Sequence, residues 1–146
     1  MTAFHEKLKD LLRQYYYVGG MPEVVKAFAE NKLLNQVRSL QNEILSNYAS
    51  DFSKHAPSQE VPRIDMVWQS ILGQLSKENK KFVYGVLKKG GRAKEFELAI
   101  QWLVDAGLVY KITKVSKPEL PLKFYEDLSA FKLYLCDCGL MGAMAD

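Results

Sequence analysis

The stretch "GGRAKEFELAIQWLVDAGLVYKITKV", residues 90–115, decides how this chain folds. Phe96, Ala99, Ile100, Leu103 and Val104 recur at three- and four-residue steps, so 90–107 predicts a helix with one buried stripe. Gly107 ends it. "LVYKITKV" (108–115) then alternates apolar and polar residues, as a half-buried strand does. A helix running straight into a strand is the centre of a winged helix, a helix-turn-helix variant whose small antiparallel sheet carries a loop called the wing.

Working outward, "RIDMVWQSILGQLS" (63–76) predicts a helix on Ile64, Val67, Trp68, Ile71 and Leu75. "KFVYGVL" (81–87) is short, aromatic and β-branched, which suits a strand unless it is partly helical. Beyond 115, "SKPELP" is a proline-bounded loop, and "KFYED" and "FKLYLCD" (131–137) supply strand material. Helix, strand, helix, strand, loop, strand gives a winged-helix-like domain over 57–137.

Before it, "AFHEKLKDLLRQYYY" (3–17) sets Phe4, Leu8, Leu11, Leu12 and Tyr15 on one side of an amphipathic helix. Gly19 and Gly20 stop that helix, and Pro22 with Glu23 suits the first turn of the next. A longer helix follows over 32–54, and the prolines of "KHAPSQEVP" (54–62) mark a linker. The expected class is therefore mostly α (α+β). It comprises a helical arm over 1–56, the winged-helix-like domain, and a further region starting at 138–146.

The chain has 146 residues, 48 % of them apolar and 25 % charged, as in ordinary globular proteins. No apolar run is long enough to span a bilayer, and the charged N-terminus is no signal peptide. These features point to a cytoplasmic protein that does not enter a membrane. Cys136 and Cys138 lie one residue apart, without the spacing or the additional ligands of a zinc or redox motif.

The glycine pair of "YYYVGGMPEVV" (15–25) raises the question of a phosphate loop. Lysine and hydroxyl are missing from the register that G-x-x-x-x-G-K-[ST] requires, Pro22 removes an amide, and Glu23 repels an anion. An interhelical corner is the better reading. His5 and His55 have no convincing nucleophile or carboxylate beside them, and neither Glu95/Glu97 nor Glu126/Asp127 converges as a pair. The expectation is a chain with no catalytic residues and no cofactor or metal site.

Charge gives the one positive hint. Net charge is only +3, but Lys80, Lys81, Lys88, Lys89, Arg92 and Lys94 cluster before and at the start of the 90–107 helix. Lys114 and Lys117 lie on the expected wing, with Lys111 and Lys123 nearby. These are the candidate nucleic-acid or anion contacts. Glu95, Glu97 and Asp105 along the same helix oppose a duplex, so docking of an acidic protein competes with DNA.

"LRQYYYVGGMPEVVKAF", "QNEILSNYASDFSKHAP", the whole of 63–127 and "AFKLYLCDCGLMGAM" together resemble the uncharacterised region that follows the core of predicted AAA+ superfamily ATPases of bacteria and archaea. The resemblance implies a fragment, lacking both the nucleotide-binding core and a restriction-endonuclease-like C-terminal part. ATP and magnesium would belong to the missing core. It also implies an accessory, coupling role, with that core as one partner and DNA or a protein client as the other. A free-standing winged-helix DNA-binding regulator is the alternative.

Overall fold

The computed structural model describes residues 3–77 and 81–146, and it is mostly α, with a small antiparallel sheet. Its elements are α1 (Ala3–Val18), α2 (Pro22–Asn31), α3 (Leu34–His55), α4 (Val61–Ser76), α5 (Ala93–Asp105), β1 (Val109–Val115), β2 (Glu126–Leu135) and α6 (Cys138–Ala145). Single 3₁₀ turns lie at Tyr84–Val86 and Leu122–Tyr125.

The chain forms two compact units, Met1–Asp51 with Asp137–Asp146, and Phe52–Cys136. Their boundaries fall at 51/52 and 136/137. The last residues fold as α6 and group with the first helices.

In the first unit, Val18, Val24 and Val37 form a small core, covered by Tyr17, Met21, Phe28, Leu40 and Ile44. The glycine pair is the corner between α1 and α2. Gly19 has a left-handed φ of 74° and its N–H closes α1 on the Tyr15 carbonyl at 2.8 Å. The Gly20 N–H donates to Asp137 Oδ2 at 2.6 Å, while Asp137 Oδ1 caps α6 by accepting from the Leu140 N–H at 2.8 Å. Gln41, fully buried, donates to the Tyr17 carbonyl at 2.8 Å and the Val18 carbonyl at 3.1 Å. Arg38 donates to Gln41 Oε1 at 2.8 Å, and its guanidinium lies 4.5 Å from the centre of the Tyr17 ring. Arg38 Nε is also 2.7 Å from an Asp146 carboxylate oxygen, an ion pair without hydrogen-bond alignment.

In the second unit, α4 and α5 pack on each other and on the sheet through Ile64, Val67, Ile71, Phe96, Ile100 and Leu103, all buried. The Phe52 ring meets Trp68 and Trp102 edge-on, each at 5.6 Å between centroids.

Two expected strands take another form. The 81–87 segment makes one backbone bond to β2, from the Phe82 N–H to the Phe131 carbonyl at 2.7 Å. The next amide, Val83, donates instead to the buried Gln74 side chain at 2.7 Å, and the chain turns into the 3₁₀ turn at Tyr84–Val86. "KFYED" likewise begins as a 3₁₀ turn, with β2 starting only at Glu126. Pro121 has no N–H for a ladder, and its carbonyl accepts from Phe124 at 3.1 Å to close that turn.

The sheet has two strands, β1 and β2, in register from Val109 opposite Leu135 to Thr113 opposite Phe131. Lys114 then pairs with Asp127, so Leu128, Ser129 and Ala130 have no partner on β1 and form a bulge.

Candidate functional site

The sequence-predicted basic residues fall into three places. Lys80 lies outside the described residues. Lys81, Lys88 and Lys89 are exposed on the segment around the first 3₁₀ turn. Lys88 Nζ is 3.5 Å from Glu95 Oε2, an exposed ion pair worth little in water. Gly91 turns there, with its N–H on the Lys88 carbonyl at 2.8 Å and no room for a Cβ beside the Tyr84 and Lys88 carbonyls.

Arg92 and Lys94, at the start of α5, line an open hollow of about 400 Å³ with Glu60, Arg63, Glu95 and Leu98. The first turns of α4 and α5 both border it. Glu60 is buried, and its Oε1 accepts from Arg63 at 2.6 Å. With Glu60 and Glu95 interleaved among Arg63, Arg92 and Lys94, the hollow has no single sign of charge for a phosphate.

Lys114 and Lys117 lie on the hairpin, Lys114 opposite Asp127 in the ladder. Hydrogen bonds from the Ser129 hydroxyl (2.7 Å) and N–H (3.0 Å) hold Asp127 below the ordinary carboxylate range, and Lys114 and Lys81 add to that. Lys81 and Lys114 thus both lie within electrostatic reach of Asp127. The structure gathers these two, and Arg92 with Lys94, and does not assemble all of the candidates on one face.

Sequence reasoning missed a different property of the hairpin. The loop after β1 carries Leu120 and Phe124, and the bulge of β2 Leu128, at 88 %, 82 % and 71 % exposure. A wing that contacts phosphate has no use for large bare apolar side chains. Of the three, only Leu120 had a sequence signal, its position in the proline-bounded loop 116–121.

The second exposed apolar surface is on α1. Phe4 is 70 % exposed, and Leu8, Leu11, Leu12, Tyr15 and Tyr16 are each about half exposed. The ion pairs Glu6–Lys9 and Asp10–Arg13, both 3.0 Å, run along the helix and leave this stripe bare. Near its end, Cys138 Sγ lies 3.6 Å from the Tyr15 carbonyl, and Cys138, then Asp137, raises the Tyr15 hydroxyl above its ordinary value.

His5 and His55 are exposed, and among the described residues no group of three or more His, Cys, Asp or Glu side chains can hold a metal. Among the same residues no helix is long and apolar enough to cross a membrane. No curated protein and no solved structure matches the chain. A family model does match, over residues 9–146, and the chain therefore belongs to the domain of unknown function DUF8612.

Proposed function

We propose that this chain is a non-catalytic accessory segment of an AAA+ ATPase, coupling the ATPase core to a protein partner. The observation that carries this reading is the bare stripe of α1, from Phe4 to Tyr16. A soluble monomer rarely leaves so large an apolar surface uncovered, and such patches mark docking faces. In this reading α1 lies against the core, which alone holds ATP and magnesium, and the whole protein is cytoplasmic. The second unit is winged-helix-like. Its order of α4, a segment bonded once to β2 at Phe82, a single 3₁₀ turn, α5, β1, loop and β2 supports that description.

The test is co-expression of this chain with the polypeptide encoded upstream of Met1, followed by co-purification. A complex is expected, and Leu8→Asp with Leu11→Asp should abolish it while leaving the fold intact. An upstream frame without a phosphate-binding loop, or failure to form a complex, overturns the reading.

The exposed Arg92, Lys94, Lys114 and Lys117 favour a second reading, a winged-helix DNA-binding regulator. Titration of duplex DNA at several salt concentrations separates the two. A log–log salt slope of several units, reduced by Lys88→Ala plus Lys89→Ala, supports DNA binding, and no binding at low salt removes it.

A further inference from the structure

The β1–β2 hairpin carries apolar surface that the packing of its unit leaves uncovered. On the outer face Tyr110 stands opposite Tyr134 and Ile112 opposite Lys132, with Tyr110, Ile112 and Tyr134 all exposed. The connecting loop and bulge add Leu120, Leu122, Phe124 and Leu128. At about 150–250 Å² per aromatic side chain, with the aliphatic ones taken as similar and each weighted by its exposure, this surface is on the order of 900 Å². One partner of a standard protein interface contributes about the same area. Beside the bulge lies a shallow hollow of about 170 Å³, lined by Ile112, Lys114, Ala130, Lys132 and Tyr134 among others.

The edge of β1 is also unfilled. The Cys136 N–H donates to the Leu108 carbonyl at 3.0 Å, and bonded pairs alternate along an antiparallel ladder. With Val109 opposite Leu135, Tyr110 and Ile112 therefore bond toward β2, while Val109, Lys111 and Thr113 turn N–H and C=O outward. Among the described residues no third strand pairs with β1. Such an edge is a template for another strand.

The charge around it is basic. Lys111, Lys114, Lys117, Lys123 and Lys132 face Glu119, Glu126 and Asp127 over the same 109–135 stretch. Two of those carboxylates are engaged, Asp127 by Ser129 and Glu119 by the Tyr125 hydroxyl at 3.0 Å. Among the described residues no carboxylate pairs with Lys117, Lys123 or Lys132.

We propose that the hairpin captures an extended, acidic segment of a protein partner, which adds as a strand along β1. Its main chain bonds the outward groups of Lys111 and Thr113. Its apolar residues cover Tyr110 and Ile112, and the alternate carboxylates meet Lys111 and, at the loop end, Lys114 and Lys117. A DNA duplex would satisfy the lysines but leave Leu120, Phe124 and Leu128 against phosphate. The inference goes beyond the coupling role and holds whichever polypeptide covers α1.

The probe is a set of labelled eight-residue peptides alternating Val or Phe with Glu, titrated into the full chain and followed by fluorescence anisotropy. Saturable binding is expected, weakened at least tenfold when Lys replaces Glu in the peptide. Ile112→Asp, and separately Leu120→Ser with Phe124→Ser, should weaken it to a similar degree. Unchanged tryptophan fluorescence of these variants shows that they fold. Amide exchange at Lys111 and Thr113 should slow on binding. Absence of saturable binding, binding that leaves those two amides unchanged, or binding of duplex DNA that the peptides do not displace would each overturn the proposal.

Discussion

At the corner between α1 and α2, one Asp137 oxygen accepts from the Gly20 N–H and the other from the Leu140 N–H. Backbone amides at a helix start are the groups that bind anions in phosphate loops. Here the anion is supplied by the chain itself, 117 residues further on. That closes the question raised by the glycine pair in chemical terms: the donor a phosphate would need is already bonded to a carboxylate. The two glycines differ in what they tolerate. Gly19 has a positive φ, and a Cβ there would overlap the Asp137 carboxylate. Gly20 has no such φ, and its Cβ would sit at ordinary contact distance, 3.6 Å from Asp137 Oδ2. Gly19→Ala should therefore destabilise the first unit by about 1–3 kcal/mol, with the overlap adding to that. Gly20→Ala should stay within about 0.5 kcal/mol of the parent, as an uncrowded substitution does. Thermal unfolding followed by far-UV circular dichroism measures both, and equal effects would mean that the left-handed corner is not what constrains the site.

At the scale of elements, the 81–87 segment shows a side chain overruling local propensity. Gln74, on α4, accepts from the Val83 N–H at 2.7 Å and donates to the Ser70 hydroxyl at 3.1 Å. Gln74→Ala leaves the Val83 amide without its acceptor in a half-covered site, at a cost of about 1–3 kcal/mol. Hydrogen exchange should quicken at Val83 and Phe82 before it does in α5. Unaltered exchange there would show that the Phe131 bond alone holds the segment. "KFVYGVL" has the β-branched and aromatic composition of a strand, and no local signal tells that residue 74 will intercept its ladder. The first five helices were legible because apolar residues recur every three to four positions, as the buried Ile64, Val67, Trp68 and Ile71 of α4 show. The same periodicity marks Phe4, Leu8, Leu11 and Tyr15 as one face without telling whether anything covers it. The lysines were legible as exposed charges, but their grouping depends on tertiary placement: Lys88 beside Glu95, and Lys81 and Lys114 around Asp127. Leu120, Phe124 and Leu128 recur every four residues but fall on a loop, a 3₁₀ turn and a strand bulge, so their spacing marks no single helix or strand face.

Over the whole molecule, the first unit is stitched from residues far apart in the chain, whereas the second is continuous from Phe52 to Cys136. Both tryptophans, Trp68 and Trp102, lie in the second, so tryptophan fluorescence reports that unit alone. Tyr15, Tyr16, Tyr17 and Tyr48 lie in the first. Asp137, 7 % exposed, ties α6 to the α1–α2 corner, one oxygen accepting from Leu140 of α6 and the other from Gly20 of the corner. Asp137→Ala removes the α6 cap, worth about 1 kcal/mol, and strands the Gly20 N–H, at about 1–3 kcal/mol more. The expected outcome is a first unit weakened by roughly 2–4 kcal/mol on those two principles, seen as faster exchange at Gly20 and Leu140. The tryptophan transition in urea should keep its midpoint and slope, because the carboxylate's hydrogen bonds, to the Gly20 and Leu140 amides, both lie within the first unit. If the tryptophan midpoint falls together with the Gly20 protection, the two units unfold as one cooperative body, and a partner held on either one stabilises both.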